Sequence, residues 1–294
     1  MRYKYDLHLH SKLSDGDYPI EKVVSLAKKN GLRVISITDH NVWLDFFEKN
    51  RLALSKKIVN IPGVEISTKF QDCEVHVLGY AQKFRLSVLK SGLRKTIAGY
   101  NERAKLIVSK LGEMGLAKLD YKLIKKKKGA NLPITKYDIA KWAYPLCRIP
   151  VNDLQRMFSR KDSGCYVPYG NWAMNPEEAV KLIHKAGGIA VLAHPGEIIG
   201  KLIRTFGIKR GKRDFDRLVA VLLENKIDGI EINSSKNNPQ IKKYCLKIAK
   251  QKKLLIVGGS DWHGEKHHPE IAMGQGGLTK KQLSLFYKAL GMKL

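Results

Sequence analysis

Six histidines stand at the ends of short apolar runs: His8 and His10 in DLHLHS, His40 in TDH, His76 in EVHVLGY, His194 in LAHPG and His263 in GSDWHG. Carboxylates lie beside them: Asp15 in SDG, Asp39 next to His40, Glu65 in GVEIS and Asp261 two residues before His263. His8 and His10 are two apart on an extended segment, which sends both rings to one side. Asp261 and His263 repeat that spacing. Imidazole and carboxylate without thiolate suit Mn²⁺, Fe²⁺ or Zn²⁺. The set is too large for one ion and suffices for two or three, with Glu65 as the natural bridging carboxylate. A buried polar group left unsatisfied costs about 1–3 kcal/mol, so packing alone does not gather this many. GxSxG is absent and no nucleophilic Ser or Cys stands out. The remaining histidines, His184, His267 and His268, fall on a helix face or in a polar loop and read as structural or solvated.

Such residues need elements to hold them. Strands are expected at 3–7, 33–38, 58–66, 74–80, 188–193, 228–233 and 254–259, and helices at 19–30, 42–56, 175–187, 213–226 and 238–252. The helix at 175 opens with NPEE, an Asn cap, a first-turn proline and acids facing the positive helix end. Alternating strands and helices predict a mainly parallel α/β sheet, closed or doubly wound. In such folds the carboxyl ends of the strands line the functional crevice, and that is where these histidines lie.

The alternation breaks between 91 and 170. Helical segments are expected there near 91–115, 134–145 and 150–160, with no clear strand, so the stretch reads as an inserted helical cap. The chain then divides into 1–90, the cap at 91–170, and 171–294. The 294 residues carry 54 Lys or Arg against 27 Asp or Glu, a formal charge of +27. Within 91–170 the counts are 17 and 6, leaving 37 and 21 for the rest, so the insertion is the more basic part per residue. The run KLIKKKKG at 122–129 reads as a solvated loop. This charge favours a polyanionic partner such as a nucleotide or nucleic acid. Tyr137, Trp142, Tyr144, Tyr166, Tyr169 and Trp172 lie in or beside the insertion and offer faces for base stacking. The N-terminus has no apolar secretory region, no run approaches the ~18 apolar residues of a membrane span, and the four cysteines form no CxxC pair. A cytoplasmic protein with reduced thiols is expected.

HxH after the first strand, then SDG, TDH, GVE, VHVLGY, AHPG and GSDxH in that order, resembles the PHP (polymerase and histidinol phosphatase) superfamily of metal-dependent phosphoesterases. The nearer resemblance is to its stand-alone subfamily with a helical insertion, comprising nucleoside 3′,5′-bisphosphate or AMP phosphatases and RNase AM-type 5′→3′ exoribonucleases. The stretch GCYVPYGNWAMNPEEAVKLIHKAGGIAVLAHPG (164–196) is similar to that subfamily's return from the insertion. The resemblance implies a distorted (β/α)₇ barrel with an inserted helical cap and a trinuclear site. One ion would be held by His8, His10, Glu65 and Asp261, a second by Glu65, His76 and His194, and a third by Asp15, His40 and His263. Asp39 would orient a ligand by hydrogen bonding, and Asp39, His194 and His263 are the residues expected to serve catalysis.

The activity so implied is hydrolysis of phosphate esters of nucleotides, or of 5′-phosphorylated short oligoribonucleotides. It would proceed by attack of metal-activated hydroxide, with two or three divalent ions, Mn²⁺ first and Fe²⁺ or Zn²⁺ as alternatives. The partner would be a nucleotide or short single-stranded RNA, with no membrane and no obligate protein partner. The rivals are another enzyme of the superfamily, a histidinol phosphatase or DNA exonuclease, and a nucleic-acid-binding protein with a vestigial metal site. The subfamily's R-x-H-[FI]-A pattern in the insertion is replaced by ITKYDIAKW, so Lys136 and Asp138 stand as the substrate-binding candidates. Lysine keeps the charge of arginine but loses its fork. The position after AHPG, often Arg in the family, is Glu197, and Arg204 opens a cationic cluster just beyond it.

Overall fold

The computed structural model describes residues 3–42, 58–71 and 73–293. Two sheets form the centre. The first has β1 (Tyr5–Leu9), β2 (Val34–Ile37) and β3 (Val59–Asn60), all parallel. The second has β4 (Gly63–Phe70), β5 (Cys73–Tyr80), β6 (Ile189–Leu192), β7 (Gly229–Ser234) and β8 (Leu255–Gly259) in that spatial order. The sheets meet at two seams. Asp261 N–H donates to the His8 carbonyl at 2.9 Å, and Asn41 N–H donates to the Glu65 carbonyl at 2.8 Å. Strand ends at both seams therefore bring His8, His10, His40, Glu65 and Asp261 to one end of the strands.

One expectation about the strands needs correcting. The run 58–66 is not one strand: it breaks at Ile61–Pro62 into β3 and β4, which lie in different sheets. A proline cannot donate to a ladder, which makes it a natural strand boundary. The pairing is mainly parallel, as expected, and β5 is the exception. β4 and β5 pair antiparallel from Gly63–Tyr80 to Phe70–Cys73, and β5 pairs antiparallel with β6. The two residues between Phe70 and Cys73 leave no room for the dozen or more that a parallel crossover requires.

Helices cover the sheets: α1 (Ile20–Lys29), α6 (Pro176–Lys185), α7 (Pro195–Phe206), α8 (Ile208–Glu224), α9 (Pro239–Lys252) and α10 (Lys280–Ala289), with α2 to α5 between β5 and α6. The NPEE signal holds: Asn175 and Glu178 form a reciprocal capping box with Pro176 in the first turn. The helix expected over 42–56 lies outside the described residues, apart from Val42.

The stretch after β5 is helical as expected. It comprises α2 (Leu86–Glu113), α3 (Tyr121–Lys128), α4 (Lys136–Cys147) and α5 (Val151–Met157). The long helix α2 serves two cores. Leu89, Leu93 and Ile97 pack with the sheet residues Val64, Val75 and Ala190, whereas Ala104, Ile107 and Leu111 pack with Ile124, Ile139, Leu154 and Phe158 from the helical stretch. The lysine run is solvated at Lys122, Lys126 and Lys127 but is not a loop. It forms α3, whose N-terminal amides Lys122 and Leu123 are capped by the Asp120 side chain. Lys128 Nζ reaches the carbonyls of Lys12 and Ser14 and lies 2.9 Å from Asp138 Oδ2, with only 7% of its side chain exposed. That lysine ties the helical stretch to the loop bearing Asp15.

Candidate metal centre

Glu65, on β4 and fully buried, is the hub. Its Oε2 lies 3.1 Å from His8 Nε2, 3.1 Å from His10 Nε2 and 3.4 Å from His40 Nδ1. Its Oε1 lies 2.9 Å from His76 Nδ1 and 3.0 Å from His194 Nε2. Asp261 Oδ1 faces His8 and His10 Nε2, each at 3.3 Å. Asp15 faces His263 Nε2 at 3.4 Å, His10 Nδ1 at 3.6 Å and His40 Nε2 at 3.8 Å. Two of these groups, His8–His10–Glu65–Asp261 and His10–Asp15–His40–His263, each bring their ligand atoms within 4.8 Å of one another. All nine residues expected to hold the three ions thus form one connected cluster.

Local backbone helps to aim these side chains. His194 has φ 22° and Asp261 φ 57°, left-handed values that a non-glycine residue adopts at a cost of about 1–3 kcal/mol. Strain of that kind persists where surrounding bonds enforce it. At His194 the backbone N–H donates to Glu231 Oε2 at 2.7 Å. The other carboxylate oxygen of Glu231 lies 2.9 Å from His8 Nδ1. Glu231 is fully buried on β7. It was not singled out in the sequence, where the only signal was a carboxylate inside a buried apolar run, DGIEIN.

Asp39 sits behind the cluster. It accepts from Ser11 N–H (2.8 Å), Ser11 Oγ (2.6 Å) and Ser14 Oγ (2.5 Å), and Ser14 Oγ lies 3.3 Å from His10 Nδ1. It thus braces the loop carrying Asp15 and one imidazole. His263 Nδ1 lies 2.9 Å from the Asp261 carbonyl, leaving Nε2 towards Asp15.

Three further residues join the site unannounced. His267, read as structural or solvated, is 3% exposed, stacks on Tyr137 at 3.8 Å between ring centroids and lies 3.0 Å from the Asp15 carbonyl. Lys236 Nζ lies 3.3 Å from Asp261 Oδ2 and 3.4 Å from Glu197 Oε2. Glu74, two residues before His76 on the same strand face, lies 3.5 Å from that ring. His184, by contrast, bonds Asp228 at 2.8 Å away from the cluster.

The substrate candidates divide. Lys136 lines the cavity and lies 3.6 Å from Glu74 Oε2. Asp138 lines neither of the cavities beside the cluster. Its carboxylate accepts from the Thr135 N–H and hydroxyl in the α4 capping box and pairs with Lys128. Arg204, on α7, lines a neighbouring cavity. Of the aromatic candidates, Tyr137 is engaged by His267 and by Asp17, to which its hydroxyl donates at 2.6 Å. Tyr166 and Tyr169 line the neighbouring cavity.

The charges show how crowded the centre is. Burial disfavours a charged imidazole, but Asp261 and Glu65 overcome it at His10, raising that ring to about 10. At His76, Glu65 and Glu74 overcome burial in the same way and raise it to about 9. His8 is likewise held well above its ordinary value, by Glu65, Glu231 and Asp261. At His263, burial followed by the neighbouring His10 has the opposite result and lowers the ring well below it. Burial would raise the Glu65 carboxyl, yet His40, His8 and His76 hold it well below the carboxylate range. Buried atoms without a hydrogen-bond partner remain among the described residues, including His10 Nε2, Asp15 Oδ1, His76 Nε2 and His194 Nδ1. Orphaned imidazole and carboxylate atoms converging in a buried pocket are what divalent cations satisfy.

Known proteins resemble this chain in sequence and fold. The PHP domain model matches residues 6–135. The 5′-3′ exoribonuclease Rnm of Escherichia coli is 28% identical over 262 residues, covering 88% of this chain and 85% of the relative. The 3′,5′-nucleoside bisphosphate phosphatase of Chromobacterium violaceum is 27% identical over 276 residues, covering 92% and 88%. A Bifidobacterium adolescentis structure, assigned as a metal-dependent phosphoesterase, superposes with a TM-score of 0.81 at 23% identity, covering 99% and 98%. That last likeness is one of fold. The PHP resemblance read from the motifs is borne out. Among the described residues no helix is long and apolar enough to cross a membrane.

Proposed function

We propose that the chain is a metal-dependent phosphohydrolase that cleaves nucleotide phosphate esters or 5′-phosphorylated short oligoribonucleotides. The observation that carries this reading is the convergence of five imidazoles on the Glu65 carboxylate, within 3.4 Å, beside Asp15 and Asp261. The PHP match and the two phosphoester-cleaving relatives supply the reaction class. The two seams between the sheets support reading the strands as one distorted barrel of the (β/α)₇ type. On that reading 91–170 is a cap between the barrel parts 1–90 and 171–294. The four free thiols suit the cytoplasm.

His8, His10, Asp15, His40, Glu65, His76, His194, Asp261 and His263 would hold two or three divalent ions. Mn²⁺ is the first choice by donor type, with Fe²⁺ and Zn²⁺ next. When bound, such ions supply Lewis acidity, activating water for attack on phosphorus and neutralising phosphate charge. The protein's own groups do the rest. Lys136, Lys201 and Lys236 line the same cavity and draw a phosphate towards the cluster. Glu231 holds the His8 ring at Nδ1, and Asp39 holds Ser14, which meets His10 Nδ1, so that Nε2 of both rings faces Glu65. His194 and His263 present nitrogen atoms at the cavity wall.

The test is metal content and turnover on one preparation. Exhaustive chelation should abolish hydrolysis of 3′,5′-bisphosphorylated adenosine, AMP and 5′-phosphorylated oligoribonucleotides, and Mn²⁺ should restore it. Alanine at His8 or Asp261 should lose more than the roughly 10–100-fold typical of groups behind the ligands. Hydrolysis unaffected by chelation would refute the reading. Tight oligonucleotide binding with no hydrolysis in Mn²⁺ would favour a binding protein instead.

A further inference from the structure

Two cavities adjoin at the cluster. The first, about 530 Å³, is lined by the metal-ligand candidates other than His8 and His10. The second, about 890 Å³, shares Glu74, Lys136, Arg156, Ser159 and Lys201 with it and extends away from the cluster. Each is of the size that accommodates a small ligand. Their walls differ in charge. The first mixes the carboxylates Asp15, Glu65, Glu74, Glu197, Asp261 and Glu270 with Lys136, Arg156, Lys201 and Lys236. Past the shared residues, the second is lined by Arg103, Arg160, Lys161 and Arg204, with Asp162 as the additional carboxylate. A chamber with such a surplus of basic side chains gathers anions.

Helix α7 links them. It starts beside His194, and Glu197, Lys201 and Arg204 follow at i, i+4 and i+7 on one face. Glu197 lies 3.8 Å from His194 Nδ1, and Lys201 Nζ lies 2.7 Å from Glu197. At 1.5 Å rise per residue, Arg204 stands about 10 Å along the helix from Glu197. Among the described residues no carboxylate lies within ion-pair distance of Arg204, whereas Arg160 is paired with Asp162. Arg103 is held rigidly by the Val167 and Phe158 carbonyls and lies 4.5 Å from the Tyr169 ring. A half-buried Tyr166 on the same wall offers a face for a base.

We propose that this second chamber binds a second phosphate group of the substrate, with Arg204 as its principal anchor. The inference rests on the phosphoesterase reading and adds a subsite to it. The second phosphate belongs either to a nucleoside bisphosphate or to the next link of a nucleotide strand. A substrate carrying it gains affinity that a nucleoside monophosphate cannot reach.

Two measurements on the full-length protein test this. The first follows fluorescence anisotropy of a 3′-labelled, 5′-phosphorylated triribonucleotide in EDTA, with wild type, Arg204→Lys and Arg204→Glu. Arg204→Glu should weaken binding at least tenfold and flatten the salt dependence, by about 0.7 in slope for one phosphate contact, while Arg204→Lys retains most of the affinity. The second compares kcat/KM in Mn²⁺ for AMP, bisphosphorylated adenosine and a 5′-phosphorylated diribonucleotide. Arg204→Glu should cost at least tenfold more on the substrate that uses the chamber than on AMP. A selective loss on the bisphosphate assigns the site to a terminal phosphate, and a selective loss on the dinucleotide assigns it to an internucleotide link. Equal losses on all three, or unchanged anisotropy with a folded variant, overturn the proposal. Hydrolysis of none of them by wild type would overturn the phosphoesterase reading, while the metal-free anisotropy would still decide the subsite.

Discussion

At the scale of single residues, the least conspicuous carboxylate has the widest reach. Glu231 holds His8 Nδ1 with one oxygen and the strained His194 N–H with the other. The first contact fixes which nitrogen of His8 faces Glu65 and Asp261, and the second pins a backbone conformation that His194 would otherwise leave. Glu231→Gln preserves shape but cannot offer an acceptor to both donors without turning an amide N–H towards one of them. We expect Mn²⁺ affinity, measured by calorimetry, to fall about 10–100-fold, with the circular dichroism spectrum unchanged. Wild-type affinity in a folded Glu231→Gln protein would reduce the residue to packing. Most candidate ligands were legible in the sequence because strand ends and alternation put their side chains on one side, whereas Glu65 and His76 lie inside β4 and β5 rather than at a carboxyl end. Glu231, Lys236 and His267 were not legible, because their partners lie far away along the chain: Glu231 pairs with His8, 223 residues away.

At the scale of elements, the approach of β8 to β1 decides whether His8 and Asp261 can share a site. Gly259 closes that approach. A Cβ there would stand 2.3 Å from His8 Cβ and 2.5 Å from His8 N. Backbone cannot yield as a flexible side chain can, so Gly259→Ala should destabilise by about 1–3 kcal/mol and weaken metal binding together with it. Gly112 in α2 is the control: a Cβ there meets nothing within 4 Å, and Gly112→Ala should be neutral or stabilise by up to about 1 kcal/mol. Thermal melts of both variants decide it, and equal melting temperatures would show that the seam tolerates widening. Most helices were legible from capping and periodicity, as at Asn175. The antiparallel β4–β5 pair was legible in principle from the two-residue gap, but strand–helix alternation elsewhere masked it. The dual role of α2 was hidden because one continuous helix serves two cores without any break in its pattern.

At the scale of the whole molecule, the charge of +27 hides an acidic and imidazole-rich interior, and that interior makes metal binding and stability depend on pH together. Without ions, His10 and His76 are raised to about 10 and about 9 by their carboxylate neighbours, above the ordinary value near 6.5. A raised histidine stabilises the folded state fully below its unfolded value, and the stabilisation is lost as pH rises through the folded value. The melting temperature of metal-free protein should therefore fall between pH 7 and 10. Lysines keep their charge over most of that window, so relief of positive self-repulsion cannot produce the decline and would act against it. Ions require neutral imidazoles, so Mn²⁺ binding at pH 7.5 must displace the protons that these rings hold. Titration in two buffers of different ionisation enthalpy should show proton release, and the apparent affinity should rise from pH 6.5 to 8.5. A metal-free melting temperature that stays level or climbs from pH 7 to 10, with no protons released on Mn²⁺ addition, would mean that the imidazoles are already neutral and that the carboxylates around Glu65 do not hold them charged.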